Sequence, residues 1–89
     1  MILDETKVLE IVKQIPHEHY RMLGGEVYMF KLSDFVKALF EEPLSGEDLK
    51  RLSKIVGREL RELGCEIRRQ HDHRRVIFYR REKREKAEN

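Results

Sequence analysis

SGEDLKRLSKIVGRELRELG, residues 45–64, is the stretch that decides the fold of this chain. Its main apolar side chains recur at three- and four-residue steps: Leu49, Leu52, Val56, Leu60 and Leu63. At about 100° per residue they fall within a wedge of roughly 80° on one side of a helix. We therefore predict one amphipathic helix over residues 46–63 that packs on a core. The alternative is two shorter helices, the second of which begins at Ser53.

The opposite side of the same helix carries five cations: Lys50, Arg51, Lys54, Arg58 and Arg61. They fill a wedge of about 100°. One face can be buried while the other presents positive charge, which suits a helix that lies against a polyanion. The alternative is an ordinary solvated face, in which Glu47, Glu59 and Glu62 pair with the cations along the helix. Taken alone, the helix leaves these two interpretations equally open.

The ends of this helix carry the expected capping signals. Ser45 with Asp48 resembles a capping box, and Leu44 can pack against Leu49 across the first turn. Gly64 suits the left-handed conformation that often follows the last turn of a helix.

Two shorter helices are predicted upstream. The first covers residues 5–14, with Asp4 as its N-cap, and ends before Pro16 because proline disfavours helix in the residue that precedes it. The second covers residues 33–40, with Ser33 as its cap.

Strands are predicted where β-forming residues cluster. Residues 16–25 are predicted as a loop, and residues 26–30 (EVYMF) as a strand. Downstream, residues 65–70 and 75–80 are predicted as an arginine-rich hairpin whose turn is centred on Asp72-His73. Residues 81–89 have no apolar pattern and are expected to be a charged, disordered tail.

The predicted turn sets the register of the hairpin. It pairs Ile67 with Phe78, and Arg69 with Val76. Cys65, Ile67, Val76 and Phe78 then share one face. Arg68, Ile77, Glu66 and Tyr79 share the other.

The predicted order is helix, strand, helix, helix, strand, strand, which is the order of a winged helix-turn-helix domain. Leu32-Ser33-Asp34-Phe35, then LSKIVGRELRELG at 52–64, and the hairpin resemble the winged-helix module at the C-terminus of plasmid and viral primase-helicase proteins. The resemblance covers about residues 32–80. It implies a small α+β winged-helix domain over residues 1–80. Helicase and primase regions are missing from these residues, so no replication activity is carried over.

Arginine is concentrated near the tip of the predicted hairpin: Arg68, Arg69, Arg74 and Arg75. In a winged domain this loop can touch the DNA backbone or the minor groove. The planar guanidinium suits phosphate better than an ammonium does. The alternative is an edge made charged to prevent aggregation. Two basic surfaces on adjacent elements favour DNA binding.

The charge of the chain is unevenly distributed. Residues 1–44 carry five Lys/Arg against eight Asp/Glu, whereas residues 45–81 carry eleven against six. The overall charge of +2 therefore conceals a basic second half, which is the distribution that binding of an anion requires.

Composition also excludes several classes of protein. A chain of 89 residues is expected to be one domain. The lone Cys65 excludes an intramolecular disulfide, and no apolar run approaches roughly 18 residues. A cytoplasmic protein without a membrane or small-molecule partner is expected.

Catalytic and metal sites have little support in the sequence. There is no phosphate-binding glycine loop, no nucleophile elbow and no carboxylate pair in an apolar setting, so we expect no enzyme and no cofactor. His17-Glu18-His19 and His71-Asp72-His73 place histidines two residues apart, yet their spacing matches no zinc signature, and exposed loop residues are the simpler interpretation.

The sequence therefore predicts a double-stranded DNA-binding protein, which could be a transcription regulator, a replication-associated binder or an architectural protein. A winged-helix module that binds a protein partner is the main alternative. Single-stranded nucleic acid binding would require several exposed aromatic side chains on one surface. A homodimer stays open, because the first helix and the charged tail each offer a contact.

Overall fold

A computed structural model describes residues 3–70 and 73–81 of the chain, apart from the side chains of Gln70 and His73. Its elements follow the order α1 (Glu5–Val12), β1 (His17–Met22), β2 (Gly25–Lys31), α2 (Leu32–Phe40), α3 (Gly46–Glu62), β3 (Glu66–Gln70) and β4 (His73–Arg81). These residues form a small α+β domain with three helices and one antiparallel sheet. Within this part of the chain, no helix has the length and apolar character needed to cross a membrane.

The four strands lie in the order β1-β2-β4-β3, and each neighbouring pair is antiparallel. The core cluster joins apolar side chains of the helices to one face of the sheet, represented by Tyr28, Phe30, Val76 and Phe78. We call this the helix-facing face. The side chains that alternate with them, such as Val27 and Ile77, belong to the opposite face, which we call the outer face.

The first helix begins as predicted and ends slightly early. The Asp4 carboxylate accepts a hydrogen bond from the backbone N–H of Lys7 at 2.8 Å, which is the expected N-cap. The helix ends at Val12, before the predicted residue 14, and buries Val8, Ile11 and Val12.

The long helix is continuous, so the alternative of two pieces split at Ser53 is wrong. Ser45 Oγ accepts a hydrogen bond from the backbone N–H of Asp48 at 3.2 Å. After the last turn Gly64 has φ of 93°, a left-handed conformation that glycine adopts without steric cost. Val56 and Leu60 are fully buried and fix α3 to the core.

The first correction concerns the predicted loop at residues 16–25, most of which is the strand β1. Each of its six residues is exposed, so it lacks the alternation of buried and exposed side chains that marks a strand. Met22 pairs with Gly25, and the turn between them uses φ of 87° at Gly24. The observed order is therefore helix, strand, strand, helix, helix, strand, strand.

Gly25 is required for a different reason from Gly24. A Cβ atom built on Gly25 would lie 2.5 Å from the carbonyl oxygen of Arg80, a backbone atom of the neighbouring strand β4. The hairpin β1–β2 can lie beside β4 only because this position has no side chain.

The second correction concerns the start of α2. The residue at the N-cap position is Lys31, and no side chain caps the helix, whereas Ser33 lies inside the first turn. Leu32 is already helical and is 1% exposed. Its burial lets the chain pass from β2 directly into α2, which leaves no separate capping segment.

The third correction concerns the hairpin register. Ile67 pairs with Val76, and Arg69 pairs with Arg74, a shift of two residues from the prediction. Because side chains alternate with a period of two, this shift leaves every residue on its predicted face. The last strand, predicted over residues 75–80, runs from His73 to Arg81, so Arg81 belongs to β4 and not to the predicted tail at residues 81–89. The turn at residues 71 and 72 and the rest of the tail, residues 82–89, lie outside the described residues.

Candidate nucleic-acid interface

The cations of α3 lie on one exposed surface. The basic face of α3 consists of the five predicted residues, and each of them is exposed: Lys50, Arg51, Lys54, Arg58 and Arg61. None of the salt bridges formed among the described residues includes one of them. The described side chains therefore do not form the predicted alternative, in which Glu47, Glu59 and Glu62 pair with these cations.

Gly57 shows how this face is oriented relative to the hairpin. A Cβ atom built on Gly57 would lie 3.4 Å from Cδ1 of Ile67, so this side of α3 rests against β3. At about 100° per residue, Lys50 and Arg61 project within roughly 40° of the direction of Gly57. The carboxylates Asp48, Glu59 and Glu62 project roughly 140–180° from it, whereas Glu47 projects about 80° from it, within the basic wedge. The basic face consequently adjoins the hairpin, and the acidic flank points away from it.

The hairpin arginines divide between the two faces of the sheet. Arg69 and Arg74 are paired across β3 and β4, on the same face as Ile67 and Val76. Arg69 is exposed and Arg74 is half-buried. The two arginines lie beyond Ile67 and Val76 in the direction of the hairpin turn. They are on the face of the sheet that α3 packs against.

Arg68 and Arg75 lie on the outer face, where carboxylates hold both. Arg68 Nε donates a hydrogen bond to Glu66 at 2.8 Å, and Arg75 Nη1 donates one to Glu18 at 2.9 Å. The bond from Arg68 keeps the pKa of Glu66 below its usual value. The pKa of Glu18 is also lowered, first by the hydrogen bond that it accepts from the Tyr20 hydroxyl and then by Arg75.

Seven of the nine predicted DNA-binding residues therefore lie on α3 or on the helix-facing face of the sheet: Lys50, Arg51, Lys54, Arg58, Arg61, Arg69 and Arg74. Arg68 and Arg75 point from the other side of the sheet and are engaged by Glu66 and Glu18.

The histidines of β1 contribute to the structure of the sheet. His17 and His19 lie on the same side of the strand, as their spacing predicts. His17 Nδ1 is 2.8 Å from the carbonyl oxygen of Ile15, and His19 Nε2 is 2.8 Å from Glu26 Oε1. The His19 ring stacks on Tyr28 at 4.4 Å between centroids. Among the described side chains, no group of three could hold a metal ion. The side chains of His71 and His73 are not among them.

The only cysteine of the chain is a core residue. Cys65 is 5% exposed, and burial raises the pKa of its thiol to about 11. At neutral pH the thiol is protonated and a poor nucleophile.

Sequence reasoning placed Tyr79 on this face of the hairpin but missed Tyr20, the second exposed aromatic side chain of the outer face. Tyr20 and Tyr79 are 50% and 48% exposed and flank Val27 in one row across β1, β2 and β4. The available signal was Tyr20 itself, but it becomes a surface residue of the sheet only once β1 is recognised as a strand.

Comparison with known proteins gives no relative: no family model, curated protein or solved structure matches this chain. The resemblance over residues 32–80 to the winged-helix module of primase-helicase proteins stays a prediction.

Proposed function

We propose that this chain is a winged-helix domain that binds double-stranded DNA and catalyses no reaction. The observation that carries the proposal is the exposed basic face of α3, with Arg69 and Arg74 on the same side of the sheet as α3. Seven cations lie on one side of the molecule, without a salt bridge to any described carboxylate. Such a surface can neutralise several phosphates at once and release their counterions.

The arrangement of elements supports the same proposal. The hairpin after α3 joins the sheet through β4, which pairs with β2, the strand that precedes α2. With α1 in front, this order of elements is consistent with a winged helix, in which α3 would be the recognition helix and β3–β4 the wing. The strand β1 is then an addition at the edge of the sheet, beside β2 and away from the wing.

The cations would have different roles along the surface. In a helix-turn-helix the N-terminal part of the recognition helix approaches the bases, which on α3 carries Lys50, Arg51 and Lys54. Arginine there can make a bidentate contact to guanine in the major groove. Arg69 and Arg74 would bind phosphates beside the groove and set the position of the helix.

The salt dependence of binding tests this proposal. We expect the affinity for a duplex of random sequence to fall with a log–log slope near −0.9 per phosphate neutralised, or about −6 if all seven cations take part. Fluorescence anisotropy across about 50 to 300 mM salt measures this slope. An affinity that does not change over this range would contradict the proposal.

Removal of two cations from α3 tests the residues themselves. In the double variant Lys54→Ala/Arg58→Ala we expect the salt slope to become about 1.8 less steep, because two phosphate contacts are lost. The melting temperature should change by less than about 3 °C, since neither side chain has a partner in the described fold. Unchanged DNA binding in a folded variant would remove Lys54 and Arg58 from the site.

A protein partner for α3 is the second candidate, and two exposed apolar residues on this helix favour it. Ile55 and Leu63 are 44% and 39% exposed. If an acidic protein displaces random duplex DNA at low salt and binds more tightly than the duplex, the protein-interaction function is the better one.

A further inference from the structure

The outer face of the sheet is an apolar surface that no described helix covers. Its central row is Tyr20, Val27 and Tyr79, and the next row contains Met29 and Ile77. Val27 and Ile77 are 7% and 8% exposed, although neither belongs to the core cluster beneath the helices. Within the described residues, the tyrosines and methionines beside them are what shields them from water.

Exposed apolar side chains are concentrated at the β1–β2 end of this face. Of the six large apolar residues that are exposed in the described part of the chain, Tyr20, Met22 and Tyr79 belong to the outer face. Leu23, in the turn that follows Met22, is exposed completely. A contiguous surface of this kind on a small protein marks an interaction site.

Both carboxylates of the outer face already have partners within the molecule. Glu18 accepts hydrogen bonds from Arg75 and Tyr20, and Glu66 accepts them from Arg68 and Tyr79. A polyanion would therefore meet a carboxylate on each edge strand of the surface, Glu18 on β1 and Glu66 on β3, and arginines that those carboxylates hold. Tyrosine, methionine and arginine with few lysines is instead the composition of a protein interface.

We infer that the outer face binds the outer face of a second copy, which gives a homodimer of two stacked sheets. This inference does not depend on DNA binding. It places the basic faces of both α3 helices on the outside, where their like charges are far apart.

A second copy fits the charge pattern along the strands. The row of Met22 and Arg81 lies on one side of the tyrosine row, and the row of Glu18 and Glu66 lies on the other. A twofold axis through the tyrosine row, perpendicular to the strands, brings the tyrosines of the two copies together. It also brings the Arg81 row of each copy opposite the carboxylate row of the other.

The size of the surface sets the expected strength. Four strands spaced about 4.8 Å apart and six residues long cover roughly 20 × 20 Å, or about 800 Å² for two copies in projection. This area lies below the roughly 1,200–2,000 Å² that stable specific interfaces bury, so we expect a weak dimer with a dissociation constant on the order of 10–100 µM.

Sedimentation velocity from about 5 to 300 µM tests the inference. The wild type should pass from the 10.8 kDa monomer to a species of twice that mass as its concentration rises. Tyr20→Lys/Tyr79→Lys should raise the dissociation constant at least about 30-fold, because four ammonium groups would enter the interface. Ile55→Lys/Leu63→Lys is the matched control, with the same added charge on α3, and should dimerise like the wild type.

Cross-linking gives a second measurement that needs no disruptive variant. Because Cys65 is buried and protonated, a bifunctional maleimide with a span of about 10 Å, the spacing of stacked sheets, should join Tyr79→Cys to its counterpart in the dimer. It should not join Leu63→Cys.

Three results would overturn the inference: a wild type that stays monomeric at about 300 µM, a folded tyrosine variant that dimerises normally, or equal cross-linking at both positions. A monomeric wild type that binds single-stranded oligodeoxythymidine through Tyr20 and Tyr79 would replace the dimer with a stacking surface for nucleic acid.

Discussion

Gly57 is a residue at which α3 packs against the sheet. An added Cβ atom would lie 3.4 Å from Ile67 Cδ1 and 3.7 Å from Leu32 Cδ2, which is ordinary van der Waals contact. Glycine in the middle of a helix costs about 1 kcal/mol relative to alanine. The position therefore has room for one methyl group and no more.

We expect Gly57→Ala to raise the free energy of unfolding by up to about 1 kcal/mol, because the helix gains stability and the methyl group fits. Gly57→Leu should lower it by about 1–3 kcal/mol, because the larger side chain must displace Ile67 or Leu32. Urea denaturation of both variants checks the prediction. A Gly57→Ala variant destabilised as much as Gly57→Leu would mean that α3 lies closer to β3 than described.

Single residues were predictable where the chemistry is local. Asp4, Ser45 and Gly64 act on backbone groups within a few residues, so their roles follow from the sequence, and the structure confirms them. The prediction of Ser33 as the N-cap is wrong because the observed start of α2 depends on tertiary structure. Burial of Leu32 moves the start of the helix ahead of Ser33, and sequence spacing does not report burial.

At the scale of elements, α3 was predictable and β1 was not. The period of the apolar residues in α3 matches the face that it buries, whereas β1 buries none of its side chains and leaves no period to detect. The register of the β3–β4 hairpin was missed by two residues for a related reason. A shift of two keeps the same side chains on each face, so the burial pattern cannot distinguish the two registers.

The outer-face contact between Glu18 and Arg75 ties β1 to β4 across β2. The folded state lowers the pKa of Glu18, through the Tyr20 hydroxyl first and Arg75 second. A depressed pKa means that the carboxylate stabilises the fold above its unfolded pKa, about 4.3, and that this stabilisation is lost as pH falls through the folded value.

We therefore expect Glu18→Gln to be less stable than the wild type at pH about 7, with a smaller difference at pH about 3. Urea midpoints at both pH values measure it. Glu10→Gln is the control, because Glu10 is exposed and forms no salt bridge in the described part of the chain. A Glu18→Gln deficit of the same size at both pH values would show that the ion pair is not its cause.

The whole molecule has two dissimilar surfaces. Cations without described partners lie on the side of α3, whereas the outer face pairs its carboxylates internally and exposes tyrosine and methionine. The sequence indicated the first surface, because α3 carries its cations on one helical face. It could not indicate the second, because the outer face depends on β1 and on contacts between strands distant in sequence.

The central claim is that α3, Arg69 and Arg74 form one DNA-binding surface. Arg69→Ala/Arg74→Ala and Arg68→Ala/Arg75→Ala remove the same charge from neighbouring positions of the same two strands, but from opposite faces of the sheet. The most direct test is to measure the affinity of both double variants for one duplex at a fixed salt concentration. The account predicts a loss of about tenfold or more for the first and less than about threefold for the second. Equal losses, or a larger loss from Arg68→Ala/Arg75→Ala, would contradict it.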